Sequence, residues 1–519
     1  MESKTCSKTQ TIQFSNFVAV KVLSDDVRTS LGPRGMDKMI VKGKNDVTIT
    51  NDGATILAEM PAHHPCQKML QDLAKSQDIE AGDGTTSVVV IAGALVGGAQ
   101  HLMEKGIHPT HISRAFGRAA AEAEKILTAM ATPLDITNRD ALVKNAITSL
   151  SSKVVSSNAP ALANLAVDAV MRVIDPAVAT SVDLKSIRVM KRIGGMMDDT
   201  EMIDGLVFNQ KASHTAQGPT RIQNAKIGLI QFCISPPKTD MECQVVVQNY
   251  TQIDRVLREE REYILKIAKA IRDAGINVLL IQKSILRDST NELALHFLAK
   301  MKIMVLKDIE RDEVDFICRS LGCLPIASVD AVNPSLLGHA DLVEEVSGPS
   351  GKYVKVTGIK EQGKTVTVLV HGPNQLMLDE VERSFHDALC VVRSLIKKRF
   401  LIPGGGAPEI EISQKLAQFA RTIPGLDGYG IRAFGEALEI IPITLAENAG
   451  MNPMAVVTEL RNRHARGEIS AGINIKKNCI GDMMEANVIQ PLLVSTSAIA
   501  LATECVRMIL KIDDIIPCR

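Results

Sequence analysis

The chain has no tryptophan, and its few phenylalanines and tyrosines make up only 3% of 519 residues. Aromatic platforms for stacking nucleobases are therefore not expected, and the cores have to be packed from Ala, Val, Ile, Leu and Met. Excess charge is missing too. Lys+Arg 59 balance Asp+Glu 59 at a formal net charge of +0, so no global field draws in nucleic acid or an anionic membrane, and neither is expected as a partner. The ten cysteines (Cys6, Cys66, Cys233, Cys243, Cys318, Cys323, Cys390, Cys479, Cys505 and Cys518) form no C-x-x-C pair. That spacing argues against a zinc site or a disulfide framework and fits reduced thiols. The start, Met1 to Thr5, is polar rather than a secretory signal, and apolar runs such as Val88 to Leu95 fall short of the ~18 to 20 residues that span a bilayer. A cytoplasmic location follows as the expectation.

What is present is a polar, glycine-rich segment, Ala81-Gly82-Asp83-Gly84-Thr85-Thr86-Ser87, just ahead of that apolar run. Glycines let backbone approach an anion, N–H groups at a helix start point at phosphate oxygens, and a carboxylate can hold a bridging divalent cation. The simpler reading is a helix start capped by Asp83 or a threonine. The pair His63-His64 before Cys66 reads as a solvated loop rather than a metal site.

At roughly 150 residues per domain the length suggests about three domains. From about Ser15 to Leu150 the pattern is mostly helical, interrupted by Asp46 to Gly53, whose β-branched alternation and Asn-Asp-Gly end read as a short hairpin and turn. From Lys226 to Gly372 strand-like runs at Ile227 to Phe232, Asn277 to Gln282, Ile303 to Leu306, Val354 to Ile359 and Val366 to Val370 alternate with helical patterns near 252–272 and 290–300. Beyond Leu376 the chain is helical again. Two helical arms flanking a βα insert suggest a split base with an inserted module. Thr11 to Phe14, Val47 to Thr50 and Met508 to Asp513 read as edge strands with little local company, expected to pair across subunits.

Five segments, in this order, resemble the group II chaperonin family: Thr29 to Met39 (TSLGPRGMDKM), Asn51-Asp52-Gly53-Ala54-Thr55, Gly82 to Ser87, His386-Asp387-Ala388-Leu389 and Gly404-Gly405-Gly406-Ala407-Pro408-Glu409. Any one is weak; five along nearly the whole chain are specific. The resemblance implies a fold that is α/β and α. A mostly helical equatorial domain would take residues 1–140 and 400–519, a small intermediate domain 141–208 and 365–399, and an inserted α/β apical domain with a helical protrusion 209–364.

It also implies ATP and Mg2+ as cofactors. Gly32 and Gly84, Thr85, Thr86 and Ser87 would hold the phosphates, and Asp83 the Mg2+. Asp52 and Asp387 would be catalytic, placing and deprotonating the attacking water. Lys153 matches a γ-phosphate sensor, Gly405 a loop along the nucleotide, and Gly472 and Gln490 positions around the base and ribose, although many relatives carry an acidic residue at Gln490. From the residues alone Asp52 is a turn aspartate, Asp387 a solvated carboxylate off its helix's apolar stripe, and Lys153 an exposed lysine. His371-Gly372-Pro373-Asn374 departs from the family's arginine and paired glycines. The implied partners are paralogous subunits in two stacked eight-membered rings, and non-native client polypeptides bound near 290–300, with a lid around 235–263.

The activity so implied is ATP hydrolysis driving lid closure and client folding. A rival from another class is a nucleotide-binding ring subunit with little turnover. A metabolic kinase is disfavoured, because no Gly-Lys-Ser or Gly-Lys-Thr loop occurs.

Overall fold

The structure, a computed structural model, describes residues 2–43, 46–174, 180–213, 218–236, 249–284, 288–349, 351–359 and 365–516, with side chains from residue 12 onward. The chain divides into two compact units. One comprises Met1–Val170, Pro176–Val182 and Asp379–Arg519, the other Met171–Asp175 and Asp183–Leu378.

The first unit is a helical bundle. Its centre is the helix Thr85–Glu104, eleven of whose twenty residues are buried, among them Val88, Val89, Val90, Ile91, Leu95 and Val96. Around it pack Glu2–Arg28, Leu426–Leu438, Leu492–Ile509 and Pro65–Glu80. A single aliphatic core joins them, with Phe116 and Phe434 edge to face at 5.5 Å as its aromatic element. Gly93 lets two helices approach, since a Cβ there would stand 2.2 Å from Ser24 Oγ.

Several expectations change here. Thr11 to Phe14 lie inside the helix Glu2–Arg28, and Met508 and Ile509 close the helix Leu492–Ile509 with no strand after it among the described residues. Both segments continue helical periodicities longer than the short windows read as strands. Val47 to Thr50 do form a strand, but one with a local partner, Lys38–Lys42, in register from Lys38 opposite Thr50 to Lys42 opposite Asp46. Asn51-Asp52-Gly53 then opens a helix, Gly53–Glu59, instead of turning a hairpin. His64 caps the helix Pro65–Glu80, its ring accepting from Cys66 N while Gln67 bonds back to the cap, so this histidine serves the backbone. The reading of apolar runs as too short for a membrane fails on length: Thr85–Glu104, Val154–Val173 and Leu492–Ile509 are long and apolar enough to cross one. Within those windows 56%, 44% and 67% of residues are buried inside the protein, because a helix at the centre of a large bundle is apolar on most sides.

The second unit is built on a six-stranded mixed sheet in the order Gly205–Phe208, Gly351–Ile359, Gly338–Gly348, Arg221–Ile230, Val278–Gln282, Met304–Ile309. The last three strands run parallel, joined by the helices Tyr250–Asp273 and Glu292–Lys300 as crossovers, and the others are antiparallel. Each face of the sheet carries its own aliphatic core. All five expected strand segments occur. The strand Gly338–Gly348 escaped notice because its polar residues Asp341, Glu344 and Glu345 interrupt the apolar pattern. In a separate three-stranded sheet Val366–Gly372 lies between Ile187–Ile193 and Glu201–Ile203. Its end explains part of the unusual His371-Gly372-Pro373-Asn374 segment: His371 Nδ1 reaches Gly194 O at 3.1 Å, and Asn374 caps the next helix by accepting from Met377 N at 2.8 Å.

Candidate functional site

Three separated segments of the first unit bring an ion cluster together. Asp52 caps the helix Gly53–Glu59, accepting from Thr55 N at 3.0 Å and Thr55 Oγ1 at 2.8 Å through Oδ2. Its other oxygen accepts from Thr85 Oγ1 at 2.9 Å, at the head of the central helix. Gly53 allows this approach, because a Cβ would fall 2.8 Å from Thr86 N. Lys153, in the turn before Val154–Asn158, places Nζ 3.7 Å from Asp52 Oδ1 and 2.6 Å from Asp387 Oδ2. The side chains of Lys153, Asp387 and Asp52 are 8%, 10% and 13% exposed. Asp387 and Lys153 are thus not the solvated groups their local patterns indicated. The helix Gln375–Lys397 is buried on several sides, including Glu380, Ser384, Phe385, Leu389 and Cys390, so lying off the apolar stripe does not mean facing water.

Electrostatics separates the three groups. Burial opposes the charge of Asp52, but Lys153 and the bonds from Thr55 and Thr85 outweigh it and hold this carboxyl below its ordinary range. Burial, assisted by Asp52 and Asp83 and opposed by Lys153, pushes the Asp387 carboxyl well above that range. Burial also works against the Lys153 ammonium, yet Asp387 and Asp52 keep it above its usual value. The site therefore holds one firmly ionised carboxylate and one proton-avid carboxylate on either side of a cation.

The glycine-rich loop lies alongside. Gly82 and Gly84 take φ of +72° and +76°, and Gly84 is the N-cap of the helix Thr85–Glu104 with no side-chain cap. Asp83 does not cap that helix; its Oδ1 accepts from Gly84 N at 2.7 Å. The first-turn N–H groups at Thr85, Thr86 and Ser87 consequently have no side-chain cap, which suits an anion. A second uncapped start follows Gly404-Gly405-Gly406, where Gly406 at φ +82° precedes Ala407–Thr422. Gly405 O accepts from Ile473 N at 2.9 Å, and a Cβ on Gly472 would stand 2.9 Å from Gly404 O, so Gly405 and Gly472 meet. Gly32, at φ +86°, packs on Leu445, and Gly406 on Pro442 of the same short helix, Ile440–Asn448. Gln490 donates to Ser495 Oγ at 2.8 Å in the first turn of Leu492–Ile509, whose Val494 touches Gly84.

Some participants escaped the sequence reading. Gln77 is fully buried, and its Nε2 donates to Asp83 O at 2.9 Å and more weakly to Val494 O at 3.4 Å. Its signal was present: it follows Leu70, Leu73 and Ala74 on an apolar stripe where an amide is out of place. Asp78 and Glu380 also belong to the cluster's field. Burial, with Asp52 nearby, raises the Asp78 carboxyl, and burial raises that of Glu380 against Lys153, Arg383 and a bond from Thr50.

Comparison with known proteins places the whole chain in a family. The TCP-1/cpn60 chaperonin family matches residues 23–519. The chain is 61% identical over 508 residues to T-complex protein 1 subunit delta of Arabidopsis thaliana, covering 98% of this chain and 95% of that one. It is 59% identical to the subunit of that name from Dictyostelium discoideum (99% and 96% covered) and 58% identical to that of Homo sapiens (98% and 94%). The chain belongs to the TCP-1/cpn60 chaperonin family.

Proposed function

We propose that this chaperonin subunit hydrolyses ATP with Mg2+ at the site around Asp52, Lys153 and Asp387, and that turnover drives closure over non-native polypeptides within a hetero-oligomer of paralogous subunits in the cytoplasm. The observation that carries the reading is the convergence of Asp52, Thr85, Lys153 and Asp387 beside an uncapped helix start. Thr85, Thr86 and Ser87 offer backbone N–H groups to phosphate, with Gly32 and Gly84 leaving room for it. Gly405, Gly472 and Gln490 would line the remainder of the nucleotide. Asp83 would hold the Mg2+, a carboxylate oxygen being the kind of ligand that this ion takes. When bound, Mg2+ neutralises charge on the transferring phosphoryl group.

The chain's own residues account for the remaining roles. Asp52, ionised and fixed by Thr55 and Thr85, orients a water through its carboxylate. Asp387, whose burial makes it avid for a proton, accepts that water's proton as general base. Lys153 spans both carboxylates and reports the charge between them. The residue ranges 1–140 and 400–519 (equatorial), 141–208 and 365–399 (intermediate) and 209–364 (apical) are the domain division this reading uses, in two stacked eight-membered rings. Part of the lid range 235–263, residues 237–248, lies outside the described residues.

The test is ATP hydrolysis by rings rebuilt with Asp387→Ala in this subunit only, alongside protease protection of the lid and folding of a trapped client. Loss of this subunit's share of turnover with impaired closure is expected. Rings that match the unmodified ones in all three measurements would overturn the catalytic assignment in favour of a nucleotide-binding subunit with little turnover.

A further inference from the structure

The second unit holds two thiols together that nucleotide chemistry does not use. Its helix Arg311–Leu321 ends on Gly322 in the left-handed conformation, φ +64°. In such an ending the residue just past the glycine folds back onto the one four positions before the glycine. Those two positions here are Cys323 and Cys318. Cys323 is 2% exposed, and the strand Gly338–Gly348 begins directly against it: a Cβ on Gly338 would stand 3.4 Å from Cys323 Cβ and 2.9 Å from Leu321 Cβ. Cys318 packs on the rim of the same core but remains partly open to solvent. Both thiols are free, and both pack on the same core.

We propose that Cys318 and Cys323 form a reversible redox pair that peroxide converts to an intrachain disulfide. In the first step the Cys318 thiolate attacks one peroxide oxygen; the O–O bond breaks, hydroxide leaves and takes up a proton as water, and Cys318 becomes a sulfenic acid. In the second the Cys323 thiol, deprotonating as it attacks, forms the S–S bond and expels the sulfenic oxygen as water. Two thiols and one hydrogen peroxide thus give one disulfide and two waters. The assignment of roles follows exposure, since peroxide reaches the outer sulfur and the inner one lies against it. The neighbouring Cys323 thiol also holds the Cys318 thiol below its ordinary value, against burial and Asp315, while Cys318 and burial push the Cys323 thiol up. Oxidation ties the end of the helix to the residue packed on the strand Gly338–Gly348, at a place independent of the nucleotide residues.

The sequence supplies a direct readout, because Arg319 lies between the two cysteines. The assembled protein is treated with hydrogen peroxide, blocked with N-ethylmaleimide and digested with trypsin. The expected product joins peptides 312–319 and 320–352 at a mass two hydrogens below their sum, and dithiothreitol separates them. Cys318→Ser and Cys323→Val abolish it, the latter keeping the buried site apolar, and in Cys323→Val the Cys318 sulfur proceeds to sulfinic acid. The proposal is overturned if the peptides stay unjoined, whether because neither thiol reacts or because Cys318 reaches sulfinic acid as fast in the unmodified chain as in Cys323→Val.

Discussion

In the first unit Asp52, Lys153 and Asp387 meet at side-chain exposures of 13%, 8% and 10%. In the second, the helix Tyr250–Asp273 leaves Ile253, Val256 and Leu257 at 48%, 46% and 45%. Burying charge costs stability that apolar contacts would supply, and exposing an apolar stripe forgoes burial worth roughly 25 cal/mol per Å2. These two places thus depart from folding's preference in opposite directions, and such departures mark functional surface in an otherwise consistent sequence. The C-terminal half of that same helix is conventional, burying Ile264, Ile267, Ala268 and Ile271. Charge is hidden where a reaction would be enclosed, and apolar surface is shown within the range 235–263 proposed above as the lid.

The largest expected effect breaks the charged side of this contrast. Lys153→Met leaves two carboxylates buried without their cation, and removal of one partner from a buried ion cluster costs about 3–5 kcal/mol. The expected result is a marked fall in the unfolding midpoint of the first unit together with loss of ATP turnover. Adding Asp387→Leu should restore most of the stability and none of the turnover. Recovery of both would show that the cluster serves the fold alone.

How much of this was legible follows from what local patterns encode. The five strands with continuous β-branched runs, the amphipathic helix near 252–272 and the glycine-rich loop carry their structure in their own neighbourhood. Thr11 to Phe14 did not, because four residues of a long helix can match a strand's alternation. Asp387 and Lys153 are a different kind of miss: each looks solvated within its own segment, and only packing against elements hundreds of residues away buries them. Gln77 could have been found, since its stripe was visible. The Cys318 and Cys323 contact could also have been found, given that a glycine followed by cysteine at a helix end places that cysteine on the previous turn.

A smaller effect sharpens the same contrast within the first unit. Glu409 sits in the opening turn of Ala407–Thr422 with Oε2 buried and unpartnered, and burial pushes its carboxyl from 4.5 up to about 7. A raised acid binds more protons folded than unfolded, so stability falls as pH rises between about 4.5 and 7 and stays lower above that. Glu409→Gln should therefore stabilise by about 1–3 kcal/mol at pH 8, with the gain fading toward pH 4.5. Thermal unfolding across that range measures it, and a gain independent of pH would assign the effect to packing.

The smallest expected change in stability comes from the exposed side. Replacing Ile253, Val256 and Leu257 by serine removes side chains that are about half in water, so each should alter unfolding free energy by no more than ~0.5 kcal/mol. Helix propensity changes little, because serine ranks close to isoleucine and valine. Closure of the lid should nonetheless weaken strongly, since contiguous exposed apolar surface of this kind is what a closed lid would bury. Protease protection of the lid with ATP, set beside thermal unfolding, with and without the triple variant, separates the two quantities. If stability drops by several kcal/mol, the stripe belongs to a core and the two units do not differ as described. If stability holds and protection is unchanged, the stripe faces water for another reason than closure.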